Sequence, residues 1–183
     1  MTDENETIIA ATQRWLEKAV IGLNLCPFAK AVHVKNQIRY VVSPATSPEA
    51  LLEDLMGELR TLQDADPDKI DTTLLIHPYV LGDFLDFNDF LDSVDIAVAE
   101  PAFNDEFQVA SLHPQYQFAG TAPDDIENYP NRSPYPTLHL LREASVDRAV
   151  AALPDAEQIV DHNVETMKRL GHDGWKKLGL DGV

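Results

Sequence analysis

Apolar residues return every three or four positions near the start of the chain. Ile8, Ala11, Trp15, Leu16, Ala19, Val20 and Leu23 share a face with Thr12 and predict an amphipathic helix over residues 6–23. The helix is expected to end near Asn24, and Pro27 disfavours continuation through Cys26. Residues 30–37 carry no clear pattern. Ile38, Tyr40 and Val42 alternate as in a strand. Ser47-Pro48-Glu49 reads as a helix start, with Ser47 as the N-cap and Pro48 in the first helical position. Leu51, Leu52, Leu55, Leu59 and Leu62 then mark one apolar face, and DADPDK stops it. Thr72–Ile76 is a short, β-branched apolar run, a second strand closed by His77-Pro78. In the next stretch Phe84, Phe87 and Phe90 repeat every three residues, as do Asp83, Asp86, Asp89, Asp92 and Asp95. A three-residue period drifts around a helix, so the expectation is a helix over 87–99 after an irregular turn.

Phe107–Leu112 and residues 137–141 read as the third and fourth strands. Ser145 is expected to cap a short helix reaching Ala152. Asp155 and Gln158 open a last helix with Ile159, Val160, Val164, Met167 and Leu170 inward, Gly171 as its stop and a tail docked through Trp175. Strands alternating with helices predict an α/β fold. The expectation is a single domain over residues 1–183: a mixed, mostly parallel sheet of about four strands, flanked by helices. The third and fourth strands can lie antiparallel across the loop that joins them. That loop exceeds twenty residues, a length that is usually functional or disordered. Tyr116, Phe118, Ile126, Tyr129 and Tyr135 are too many large apolar side chains for disorder, so an ordered loop is expected.

Charge narrows the function classes. The 183 residues carry a formal net charge of −17. Nucleic acid and anionic membrane surfaces demand a basic face, so neither is an expected partner. Between residues 47 and 106 only Arg60 and Lys69 oppose the acidic groups. A solvated acidic surface explains this, and docking of a basic partner is the alternative. No run of 18 apolar residues exists, and the acidic start MTDENETIIA lacks a basic leader, so a cytoplasmic location is expected. One cysteine excludes an internal disulfide.

The candidate chemistry gathers in and beside the long loop. His113 and His139 stand at a strand end and within a strand, and neighbouring strands would bring both imidazoles to one pocket. Arg132, in NRSPYP, and Arg142 offer planar forks for an anionic ligand group. Tyr116 and Asn131 supply further hydrogen-bonding groups. Cys26, close to Lys30, is a candidate nucleophile or metal ligand. Each has a bland alternative: a buried cysteine, hydrogen-bonded histidines, and arginines paired with Asp124, Asp125 or Glu143. No dithiol, HExxH, GxSxG or phosphate-loop motif is present. DFLDFNDFLD lacks the spacing of a calcium loop.

Four blocks resemble a known family: TQRWLEKAVIGLNLCPFAKAV, TTLLIHP with DFNDFLD, QVASLHPQYQFAGT, and NRSPYPTLHLLREASVDRAV. Together, over residues 7–175, the chain resembles the bacterial family filed as domain of unknown function 1415. The resemblance implies a single-domain cytosolic protein sharing Cys26, His113, Arg132, His139 and Arg142, and brings no activity. The order of Cys-Pro-Phe-Ala, strands, His-Pro and a downstream Arg and Pro also resembles the layout of the YqcI/YcgG family, which includes haem-dependent N-oxygenases. That likeness implies His113 as the iron ligand and Arg132 as the partner of a haem propionate. The leading expectation is a small-molecule-binding protein or enzyme whose pocket gathers Cys26, His113, Arg132, His139 and Arg142. A haem-iron oxygenase using His113 and a non-catalytic interaction module with an acidic face are the alternatives.

Overall fold

The computed structural model describes residues 2–180. The N-terminal helix α1 (Thr2–Trp15) passes directly into a π-helix (Leu16–Ile21), and α2 (Ala29–Val34) forms where the sequence carried no pattern. β1 (Ile38–Val42), α3 (Pro48–Asp64), β2 (Thr72–Ile76), α4 (Phe84–Val98) and β3 (Phe107–Leu112) follow. A short 3-10 helix (Ile126–Asn131) interrupts the long loop before β4 (Thr137–Arg142). The chain closes with α5 (Glu143–Ala152), a 3-10 turn (Ala156–Gln158) and α6 (Ile159–Lys176).

Local chemistry sets several boundaries. Ser47 Oγ accepts the Ala50 N–H at 3.2 Å, with Pro48 opening the helix. Asp83 caps α4 by accepting the N–H groups of Leu85 and Asp86 at 2.8 and 3.2 Å. The helix therefore begins at Phe84, three residues before the expected start. α5 begins at Glu143, so Ser145 lies inside it instead of capping it; its hydroxyl donates to Asp71 at 2.6 Å. Gly171, at φ 66°, breaks α6 without ending it, and the helix resumes to bring Trp175 inward. Of the positions expected to face inward on α6, Met167 is fully buried and Val160 is 70% exposed.

The sheet order is β1-β2-β4-β3. β1 and β2 are parallel, while β4 runs antiparallel to both β2 and β3. The mostly parallel sheet is thereby corrected to a mixed one with mainly antiparallel pairing. The reason lies in the connections. α3 and α4 carry the chain back after β1 and β2, so β1, β2 and β3 share one direction. The link from β3 to β4 contains no such crossover, and adjacent strands joined that way run antiparallel. β4 then wedges between β2 and β3.

Strand side chains alternate between the two faces. On the first face Val41, Leu75, Val109, Leu138 and Leu140 pack against α3 and α4. Leu51, Leu55, Leu59 and Leu62 have no exposed surface there, and burial of each contributes about 2 kcal/mol relative to exposure. On the second face Ile38, Tyr40 and Leu112 pack against Trp15, Leu16, Ala19 and Val20 from the N-terminal helices, and against Met167 and Trp175 from α6.

Candidate functional site

The long loop is held by its own polar groups. Asn128 is fully buried; its Oδ1 accepts from Phe118 N–H and the Thr121 hydroxyl at 2.9 and 2.8 Å, and its Nδ2 donates to Ala122 C=O. Arg132 donates from Nε to Tyr116 C=O at 3.1 Å and from Nη2 to Pro123 C=O at 2.5 Å, with its guanidinium 4.4 Å from the Tyr129 ring centre. The fork thus ties loop carbonyls together, where the sequence pointed to a ligand or a carboxylate. The Tyr116 ring packs between those of Phe84, tilted at 5.2 Å, and Phe118, edge-on at 4.9 Å. Asn131 contributes its carbonyl to the N–H of His113.

His113 and His139 are not brought into one pocket. The His113 ring lies on the first face against Phe84 and Phe87. Its Nε2 donates to Leu81 C=O at 3.0 Å and its Nδ1 accepts the Gln115 N–H at 3.0 Å. Burial lowers its pKa. His139 sits on the second face, in register with Leu74 and Ala110. Thr72 gives its hydroxyl proton to Leu140 C=O and therefore accepts from His139 Nε2 at 2.7 Å. That leaves Nδ1 as a lone-pair acceptor without a hydrogen bond among the described residues. Loss of solvation pushes the His139 pKa down to about 4, keeping the ring neutral. Arg142 is on the first face, where Nη2 lies within hydrogen-bond distance of the Leu62 and Ala65 carbonyls at the end of α3 and of Ile70 C=O beyond it.

Cys26 belongs to the second-face layer, with Trp15, Leu25, Tyr40, Tyr129 and Trp175. It is half-buried and follows the π-helix and Asn24, whose φ is 53°. The sheet separates it from the His113 ring, whereas His139 shares its face. Tyr40 and His139 stand two strands apart in register, roughly 10 Å between their backbones.

This layer also holds unsatisfied groups. Among the described residues, seven buried side-chain nitrogen or oxygen atoms lack a hydrogen-bond partner. Four of them, Trp15 Nε1, Tyr40 Oη, Trp175 Nε1 and Asn163 Oδ1, lie in or against this one cluster. Asn163 is tied to it by donating from Nδ2 to Leu25 C=O at 2.8 Å. Burial, with Glu17 nearby, pushes the Tyr40 hydroxyl up to about 12, so it remains a donor. Buried polar groups are normally paired with protein or water, and π-helical turns recur at functional sites. Sequence patterning marked Trp15 and Tyr40 as apolar-face residues, since periodicity does not report whether an indole or phenol finds a partner. Asn163 carried no signal.

The family described as Protein of unknown function (DUF1415) matches residues 7–177. The chain belongs to this family. No curated protein and no solved structure gives a significant match. For this DUF1415 member the haem reading was carried by His113, and the residue does not fit that role. Both ring nitrogens are engaged, and Phe84 and Phe87 pack on the ring. No group of three or more His, Cys, Asp or Glu residues is placed to hold a metal among the described residues. No helix among them is long and apolar enough to cross a membrane.

Proposed function

We infer that this protein binds a small, neutral, polar molecule in its second-face layer, between the π-helix, β1 and α6. The observation that carries this reading is that four of the seven unpaired buried polar atoms among the described residues meet in this one cluster, while the other three, Thr73 Oγ1, His77 Nε2 and Arg142 Nε, lie on the other face. Two indole N–H groups and one phenol O–H offer donors, and Asn163 Oδ1 offers an acceptor. A molecule with both kinds of group completes all of them. Glu17, close enough to raise the Tyr40 pKa, disfavours an anion. Cys26, half-buried in the same cluster, is the group that would give the site covalent chemistry. His113, Arg132 and Arg142 fall outside the site and serve the scaffold.

The chain's two tryptophans, Trp15 and Trp175, are both in this layer, so intrinsic fluorescence reports on it directly. Titration with the small-molecule fraction of a bacterial extract is expected to shift the emission saturably. Tyr40→Phe should weaken the response by about tenfold, the value of one lost hydrogen bond, with melting temperature nearly unchanged because Tyr40 Oη has no partner among the described residues. Emission that never responds to the extract would contradict the reading.

A further inference from the structure

A second feature lies at the edge of the sheet, in the backbone of β1, whose Tyr40 side chain belongs to that layer. β1 is a terminal strand. Ser43 N–H donates to Ile76 C=O at 2.8 Å, and Gln37 C=O accepts from Thr72 N–H at 3.4 Å. In a parallel pair the N–H and C=O of a residue face the same neighbour, so odd-numbered residues from Gln37 to Ser43 turn toward β2. Tyr40 and Val42 therefore turn outward. No described residue hydrogen-bonds to the backbone of either.

Exposed edges are usually blocked by charge, proline or a covering element. Here Arg39 lies in the strand and Pro44 follows it, and beside Tyr40 and Val42 the edge is bordered by a groove of about 290 Å³ between β1 and α3. Val41, Val42 and Leu75 line its apolar part, and Glu53, Asp54 and Gly57 are among the residues of its helical wall. No lysine or arginine lines it. Glu58 is neutralised by Arg39 at 2.9 Å, and Asp54 accepts the Ser43 hydroxyl at 2.5 Å. Glu53 is exposed and has no ion pair among the described residues.

Gly57 adds a separate sign. It sits inside a helix, where alanine is more favourable. Nothing lies within 4 Å of where its Cβ would stand, and its φ does not require glycine. Neither packing nor backbone conformation within this chain explains the residue. It does keep the helical wall low beside the unpaired edge.

We propose that the β1 edge accepts an extended, basic segment of a partner protein. The segment adds a strand beside β1, pairs with Tyr40 and Val42, and turns alternate Lys or Arg side chains toward Glu53 and Asp54. A second copy of this chain is the poorer occupant, because its own β1 edge brings the same carboxylates and repels.

The probe is a fluorescein-labelled heptapeptide of alternating Lys and Val, read by anisotropy on the full chain, with a Glu–Val peptide as control. Saturable binding of the Lys peptide alone is expected. Glu53→Lys and Gly57→Leu should each weaken it by about tenfold or more. Gly57→Leu should do so without lowering the melting temperature, since leucine is the better helix former. Two further peptides carry N-methyl groups on one or the other set of alternate amides. One should lose binding and the other keep it, because only one set faces β1. Amide exchange at Tyr40 and Val42 should slow in the complex. Absence of saturable binding, equal binding of the two methylated peptides, or a dimer of the chain that the peptide does not dissociate would each overturn the proposal.

Discussion

His77 is fully buried where β2 ends. Its Nδ1 donates to Val80 C=O at 3.1 Å, its ring stands 5.6 Å from that of Phe87, and its Nε2 has no partner among the described residues. Burial first, and the neighbouring His113 second, push its pKa from 6.5 down to about 4. The folded state thus holds the neutral ring while the unfolded chain binds a proton below pH 6.5. Stability is whole above about pH 6.5 and is lost as pH falls toward 4, by on the order of 3 kcal/mol from this residue. Thermal melts of wild type and His77→Gln between pH 7 and 4 test it. The wild type should lose melting temperature more steeply, and the variant curve should be flatter in that window. Falling pH also relieves the acidic self-repulsion, but equally in both proteins, so the difference isolates the histidine. Parallel curves would remove His77 from the account. At this scale the sequence marked chemically able residues without showing their employment. His113 and Arg132 read as site candidates because their side chains are versatile, and here that versatility satisfies backbone carbonyls of the scaffold.

Elements were more legible than their contacts. The four strands and the starts at Ser47 follow from patterning and capping, which are local. The direction of β4 was not local: it depended on what the long connection contains, and a 3-10 turn cannot carry the chain back as a helix does. α2, with no buried residue, left no apolar face to read. α3 ends at Asp64, at the DADPDK stretch expected to stop it, but the carbonyls there are held by a contact no local pattern contains. Arg142, eighty positions after Leu62, places Nη2 within hydrogen-bond distance of the Leu62 and Ala65 carbonyls at the helix end and of Ile70 C=O in the turn that follows. Burial lowers the pKa of its guanidinium, and the Asp71, Glu106 and Asp66 carboxylates act against that. Arg142→Met keeps the apolar stem and strips those bonds. It is expected to cost on the order of 3 kcal/mol, or roughly 6–12 °C in melting temperature for a chain of this size. The same variant should leave the tryptophan fluorescence response intact, since it sits on the other face. Loss of the response with an unchanged melting temperature would reverse the roles assigned to the two faces.

The whole molecule divides its work between the faces of one sheet. The first face carries the larger apolar core, with two histidines and an arginine packed into it, and three of the unpaired atoms among the described residues, Thr73 Oγ1, His77 Nε2 and Arg142 Nε. The second face collects a π-helix, a half-buried cysteine and four unpaired polar atoms in one layer. Net charge and the long loop drew attention in the sequence to other regions, because acidity and loop length are visible in one dimension. The second-face layer is assembled from residues 15, 26, 40, 163 and 175, and only the sheet and α6 bring them together. A crystal structure of the protein purified directly from its host tests this most directly. The account predicts density for a bound molecule larger than water, within hydrogen-bond distance of at least two of Trp15 Nε1, Tyr40 Oη, Trp175 Nε1 and Asn163 Oδ1. Density showing each of those atoms paired with protein or with isolated waters, and nothing else in the layer, would contradict it.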